Sequence, residues 1–215
     1  MSFKSYLVEL RNPPEIKKYK DTVSDFKRVD NRFDFRSGMP ELFAKYAFKP
    51  IGSGKYAVVY ENKKYPYIIK VFMKDTAYLK YLNWAKANQS NVFVPKIRGK
   101  VIKITDVIMA VRLEKLEEKS GFNKNYDSFI EAMLDPEWAI EGKLDLTAYI
   151  TKHKKDLDKL ALFISKNKKI ADIHDGNILV RKDSTPVLID PFYNYFRNGT
   201  FTMDADDIST FGELF

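Results

Sequence analysis

Residues 172–192 read Asp172-Ile-His-Asp-Gly-Asn177-Ile-Leu-Val-Arg-Lys-Asp-Ser-Thr-Pro-Val-Leu-Ile-Asp190-Pro-Phe192. Two short apolar runs, Ile178 to Arg181 and Pro186 to Asp190, flank a polar turn at Lys182, Asp183 and Ser184, which is the pattern of a β-hairpin. A hairpin there returns Asp190 to face Asn177, and Asn177 itself stands five residues after Asp172. The chemistry of the three side chains is complementary. A carboxylate on a short loop can take the proton of an attacking hydroxyl, while an amide oxygen and a second carboxylate are hard ligands suited to holding Mg²⁺ against a polyphosphate.

Composition bounds what surrounds this stretch. The chain has 215 residues, 45% of them apolar, enough to bury one substantial core or two small lobes. It has no apolar run long enough to span a bilayer, and its first residues lack the apolar core and cleavage site of a signal peptide, so a soluble cytoplasmic protein without membrane contact is expected. The absence of cysteine rules out a disulfide framework, a thiolate zinc site and a cysteine nucleophile. With only His153 and His174 as imidazoles, any metal is expected to be hard and oxygen-bound. A net charge of +8 favours acidic partners without choosing among them. The densest basic set, Lys152, Lys154, Lys155 and Lys166 to Lys169, has no accompanying platform of stacking aromatics, so solvated helix faces are expected and nucleic acid is not expected as a direct ligand. Oligomeric state is not readable.

The pattern changes once, from strand-rich to helix-rich, near residue 118. This divides the chain into an N-terminal extension over 1–40, a strand-rich lobe over 41–117 and a helical lobe over 118–215. Three strands are expected first: one ending at Gly52, then Tyr56 to Asn62 and Tyr67 to Phe72, broken by Gly-rich and Lys-Lys-Tyr-Pro turns. A helix follows over Asp75 to Asn88, with apolar residues at Tyr78, Leu79, Leu82 and Ala85 and a cap at Asp75 or Thr76. Ile97 to Ile104 and Val107 to Leu113 complete a five-strand sheet. Further helices are expected over Tyr126 to Leu134 and, without a break, over Leu146 to Ile164, where His153 shares the apolar face and reads as a packed residue.

Ile51 to Tyr60 places Gly52 and Gly54 in a strand-turn-strand, where missing Cβ atoms let backbone N–H groups approach phosphate oxygens. Lys70 follows inside an otherwise apolar strand. A buried ammonium is costly without an anionic partner, so a phosphate-binding role is expected for it.

In this order, a Gly-rich loop, a strand lysine, Asp-x-x-x-x-Asn and a strand-ending Asp, the chain resembles the eukaryotic-type protein kinase superfamily over about Tyr46 to Phe192. It is closer still to the early serine/threonine protein kinases of short-tailed (T-odd coliphage type) bacteriophages, which write a similar Asp-x-His-x-Gly-Asn-Ile and Ile-x-Asp-Pro. The resemblance implies an α+β, bilobal protein kinase-like fold, with a five-stranded antiparallel N-lobe sheet, one helix and a truncated helical C-lobe. It implies ATP and Mg²⁺ as cofactors. The backbone of Gly52, Ser53, Gly54 and Lys55, together with Lys70, would bind phosphates. Val59 and Ile68 would roof the adenine, Leu179 would floor it, and Glu114 to Leu116 would form the hinge. Asp172 would be the catalytic base, with Asn177 and Asp190 the metal ligands. Host bacterial proteins, transcription or translation machinery among them, are the substrates the resemblance implies, in a host cytoplasm.

Several residues depart from that pattern. Ala57 stands for a third glycine, and Ile170 and Ala171 replace the His-Arg pair before the catalytic Asp. His174 takes the place of a lysine, as in aminoglycoside and choline kinases, and its charge depends on pH. No Glu occurs between Val71 and Val94, leaving Lys70 without the usual helix partner; Asp75 reads as a helix cap. Pro191 and Phe192 replace Phe-Gly. The short run after Phe192 leaves a minimal peptide platform, and Asp204, Asp206 and Asp207 read as the acidic first turn of a terminal helix. The expected activity is phosphorylation of protein serine or threonine, including the chain itself. The alternatives are a small-molecule kinase of the aminoglycoside or choline type, or a pseudokinase-like module that binds and inhibits a host protein.

Overall fold

The β-branched and aromatic runs between Lys49 and Glu114 pair into one antiparallel sheet of five strands, β1 (Lys49–Ser53), β2 (Ala57–Glu61), β3 (Tyr67–Met73), β4 (Ile102–Lys103) and β5 (Ile108–Glu114). The spatial order is β1-β2-β3-β5-β4. The computed structural model describes residues 43–44, 47–54, 56–103, 108–121 and 123–193. The N-terminal extension, Lys55 and the acidic run at Asp204, Asp206 and Asp207 lie outside the described residues. Among the described residues no helix is long and apolar enough to cross a membrane.

Contacts divide the protein into two units. Among the described residues, one takes in the chain up to Lys74 together with Ile97–Glu114, and the other takes in Asp75–Lys96 and the chain from Lys115 onward. The sheet belongs to the first. Side chains alternate across a strand, so Tyr67, Ile69 and Val71 of β3 fall on one face. There they join Val58, Tyr60, Ile108 and Ala110 in a core closed by Phe43 and Phe48. Phe43 stacks on Tyr60 at 4.2 Å and meets Phe48 edge-on at 6.1 Å. Full burial of each such side chain is worth about 1.5–3 kcal/mol. Arg112 stands opposite Ile69 and is therefore on this face, with its guanidinium 5.6 Å from the centroid of the Tyr67 ring. β4 is shorter than the expected Ile97 to Ile104: Gly99, at φ 85°, turns the chain out of extended geometry, and Ile97 keeps only an isolated bridge to Leu113.

The second unit contains α1 (Thr76–Ala87), α2 (Lys124–Leu134), α3 (Pro136–Ile140), α4 (Ala148–Lys152), α5 (Lys154–Lys166), two 3₁₀ turns (Lys168–Ile170 and Asp175–Asn177) and a hairpin of β6 (Ile178–Val180) and β7 (Pro186–Leu188). α1 begins where Asp75 Oδ1 accepts from the N–H groups of Ala77 (2.8 Å) and Tyr78 (3.4 Å). Its buried residues are Ala77, Tyr78, Leu79, Tyr81, Leu82 and Ala85. On its flank, Trp84 stacks on Phe163 of α5 at 4.4 Å with 8° between the rings. The segment after α1 continues into the same core. Phe93 stacks on Phe129 of α2 at 5.0 Å and gives its carbonyl to Leu188 N–H (3.0 Å), while Asn91 Nδ2 donates to Asp156 O (2.7 Å).

The single helix expected from Leu146 to Ile164 is interrupted at His153, whose φ of −104° and ψ of 23° close α4 and open α5. Its ring lies between Tyr149 (4.8 Å) and Phe93 (6.3 Å, edge-on), so it is the packed residue its place on the apolar face implied.

Candidate active site

The segment 172–192 folds as its spacing requires. Ile178 pairs with Leu188, Leu179 with Val187 and Val180 with Pro186. At the turn, Asp183 Oδ1 accepts from Thr185 N–H (3.0 Å) and Ser184 takes a positive φ of 67°. Hydrogen bonds from the side chain and backbone of Thr185 hold the Asp183 carboxyl below its ordinary range. At the open end of the hairpin, Ile189 N–H donates to Asn177 O (2.8 Å), which sets Asn177 beside the strand end that carries Asp190. Asp172 joins them from the other side: its N–H donates to Pro191 O (2.7 Å), and its neighbour Ala171 bridges Phe192. Asp172, Asn177 and Asp190 therefore converge within one unit.

The loop between Asp172 and Asn177 is ordered by side chain to main chain bonds. Asn177 Nδ2 donates to Asp172 O at 2.8 Å, so the amide is oriented by its nitrogen and its Oδ1 remains the acceptor available to a cation. His174 caps the 3₁₀ turn: its Nδ1 accepts from Gly176 N–H at 3.1 Å, and its Nε2 lies 2.9 Å from Asn177 Nδ2 and 3.7 Å from Asp172 Oδ2. Nδ1 takes the Gly176 N–H and the ring edge lies against the Asn177 amide, so in this arrangement His174 positions the loop. Tyr126 of α2 braces the same turn by donating to Asp175 O at 3.0 Å.

Two residues that the sequence reading passed over as chemistry also lie here. Tyr81 of α1 donates its hydroxyl to Leu188 O, and Tyr78 is buried one turn earlier. Burial first, then the charges of Asp190 and Asp75, push the Tyr78 phenol well above its ordinary value. Tyr81 is raised by burial, Tyr78 and Asp190 against an opposing Arg181. The available signal was a polar-tipped aromatic pair at helical spacing on a helix without glutamate.

The remaining candidates divide between the units. Within the sheet, Gly52, Val59, Lys70 and Val111 form one row across β1, β2, β3 and β5. Lys70 is 7% exposed, and Ile68 lies on its face two positions earlier in β3. Gly54 N–H closes the β1–β2 turn on Ala57 O (2.8 Å), and Ser53 pairs with Val58. A Cβ added at Gly52 or Gly54 would meet nothing within 4 Å, so the fold itself makes no use of their bareness. Glu114 ends β5 opposite Tyr67, and the division between units falls between Glu114 and Lys115, with half-buried Leu116 beyond it. Leu179 is half-buried on β6. Among the described residues no group of three or more His, Asp or Glu gathers to hold a metal. Asn177 Oδ1 and Asp190 would supply two oxygen ligands, a number that fits Mg²⁺ because that ion keeps waters and substrate phosphates in its remaining positions. No family model and no curated protein matches the chain.

Proposed function

We propose that this protein is an ATP- and Mg²⁺-dependent kinase that transfers the γ-phosphoryl group to a serine or threonine hydroxyl of a protein, folded as a small bilobal kinase-like enzyme. The observation that carries the reading is the convergence of Asp172, Asn177 and Asp190 at the open end of the β6–β7 hairpin. In the sheet unit, the row from Gly52 through Lys70 adds support, since glycines where an added Cβ would meet nothing leave the backbone N–H groups of the β1–β2 turn open to a phosphate ligand.

Asn177 Oδ1 and the Asp190 carboxylate would hold Mg²⁺, which when bound would supply positive charge to offset that of the polyphosphate. Asp172 orients the acceptor hydroxyl and receives its proton. The hydroxyl oxygen bonds to the γ-phosphorus as the bond to the β–γ bridging oxygen breaks, and ADP leaves with that electron pair. Asn177 would serve two ends, because the nitrogen that donates to the Asp172 carbonyl belongs to the same amide whose oxygen would hold the ion.

The resemblance to bacteriophage kinases makes bacterial proteins the first substrates to try. Labelled ATP, Mg²⁺ and a bacterial lysate, with Asp172→Ala in parallel, test the reading. Label on lysate proteins that falls about 10²- to 10⁴-fold in the variant is expected for loss of a general base. Retained transfer by Asp172→Ala would remove the base assignment. Label confined to small molecules would move the protein to the aminoglycoside or choline kinase class, and no label at all would leave a binding module.

A further inference from the structure

Asp190 stands between two residues that a single side chain holds. Tyr81, with no exposed surface, donates its hydroxyl to the carbonyl of Leu188, two positions before Asp190, and sets its ring edge-on to Phe192, two positions after it, with centroids 6.3 Å apart and 84° between planes. Phe192 is backed by Phe163 of α5 at 5.3 Å, and Leu188 N–H donates to Phe93 O, so beside Tyr81 one flank of Asp190 is tied to α5 and the other to the segment that follows α1. Tyr78, centroid 6.4 Å from Tyr81, fills the space one turn earlier. α1 carries no glutamate, and its N-terminal Asp75 is occupied in capping the helix. Tyr81 is thus a side chain by which α1 reaches the strand that leads into Asp190.

We propose that Tyr81 is a positioning residue for metal binding at Asp190, its hydroxyl fixing the strand before the carboxylate and its ring fixing the residue after it. The inference rests on the reading of Asp190 as a Mg²⁺ ligand. Its physical basis is general: a ligating carboxylate binds well only if its backbone is held in place, and loss of an outer partner of a metal ligand typically costs about 10- to 100-fold in metal affinity or activity.

The test uses the full chain and three proteins, the wild type, Tyr81→Phe and Tyr149→Phe. Tyr81→Phe keeps the ring and removes only the hydroxyl. Tyr149→Phe removes a comparable bond in the same unit, that to Thr185 Oγ1 (2.6 Å) by the hairpin turn, at the opposite end from Asp190. Four quantities are read: melting temperature, the KM for the protein substrate, the Mg²⁺ concentration for half-maximal transfer at saturating ATP, and the affinity for Mn²⁺ with a non-hydrolysable ATP analogue by electron paramagnetic resonance. Tyr81→Phe is expected to raise the half-saturating Mg²⁺ and the Mn²⁺ dissociation constant about tenfold. The KM for the protein substrate should be unchanged, and Tyr149→Phe should lower the melting temperature without moving either metal constant. Equal metal constants in the wild type and Tyr81→Phe, with only the melting temperature reduced, would make Tyr81 a packing residue and overturn the inference alone. A wild type that neither transfers phosphate nor binds the Mn²⁺–nucleotide pair would overturn the inference together with the reading of Asp190.

Discussion

Gly176 is small for a reason that the geometry supplies. An added Cβ would lie 2.9 Å from His174 Cε1 and 3.1 Å from its Nδ1, although the backbone there is not in the left-handed region. The obstacle is a side chain that is 55% exposed and free to swing outward. Gly176→Ala is therefore expected to fold with a stability change within about 1 kcal/mol, since reduced backbone freedom in the unfolded chain offsets part of the crowding. It should also displace the imidazole from Gly176 N–H and Asn177 Nδ2. Turnover by Gly176→Ala should match that of His174→Ala, while thermal melting stays near the wild type; a wild-type rate in Gly176→Ala beside a slow His174→Ala would count against a positioning role for the ring. At this scale the meeting of Asp172, Asn177 and Asp190 was legible, because five residues of loop and one hairpin fix it locally. Tyr81 was not legible, because its acceptor Leu188 lies 107 positions away and a tyrosine at helical spacing reads first as core.

Among the elements, the three strands before α1 and α1 itself fall close to where alternation, turn residues and the Asp75 cap place them. Asp75→Ala should cost about 1 kcal/mol, as loss of an N-cap typically does. Urea unfolding should register it as a lower midpoint at unchanged slope, and an unaltered midpoint would mean that the bonds to Ala77 and Tyr78 contribute nothing. The two places where elements differ from the periodicity have identifiable causes. Gly99 leaves extended geometry inside what reads as a continuous strand. His153 breaks a continuous apolar face because its ring packs against Phe93, and Val92 N–H reaches Asp156 Oδ2 (3.2 Å) just inside α5. A distant segment decides the break, and hydrophobic spacing within 146–164 carries no record of it.

For the whole molecule, the grouping of Asp75–Lys96 with the chain from Lys115 onward makes the second unit discontinuous in sequence. A change from strand-rich to helix-rich composition marks only the crossing near Glu114, since the other crossings, after Lys74 and after Lys96, bracket a helix that composition alone leaves with the neighbouring strands. Leu79, Tyr81 and Leu82 are fully buried. At about 1.5–3 kcal/mol each, their burial alone is comparable to the 5–15 kcal/mol net stability of a typical domain. A fragment starting at Lys115 should therefore lack near-ultraviolet circular dichroism of a fixed core. It should gain that signal on adding a peptide of residues 75–96, and not with the same peptide carrying Tyr81→Ala and Trp84→Ala; a native-like spectrum from the fragment alone would show that α1 is dispensable to that core. The same discontinuity imposes an order of events during synthesis. At roughly 5–20 residues per second, the 107 positions separating Tyr81 from Leu188 keep the apolar face of α1 waiting about 5 to 20 s on the ribosome before its partners emerge, an interval in which a chaperone, rather than the rest of the chain, is the nearest surface able to cover it.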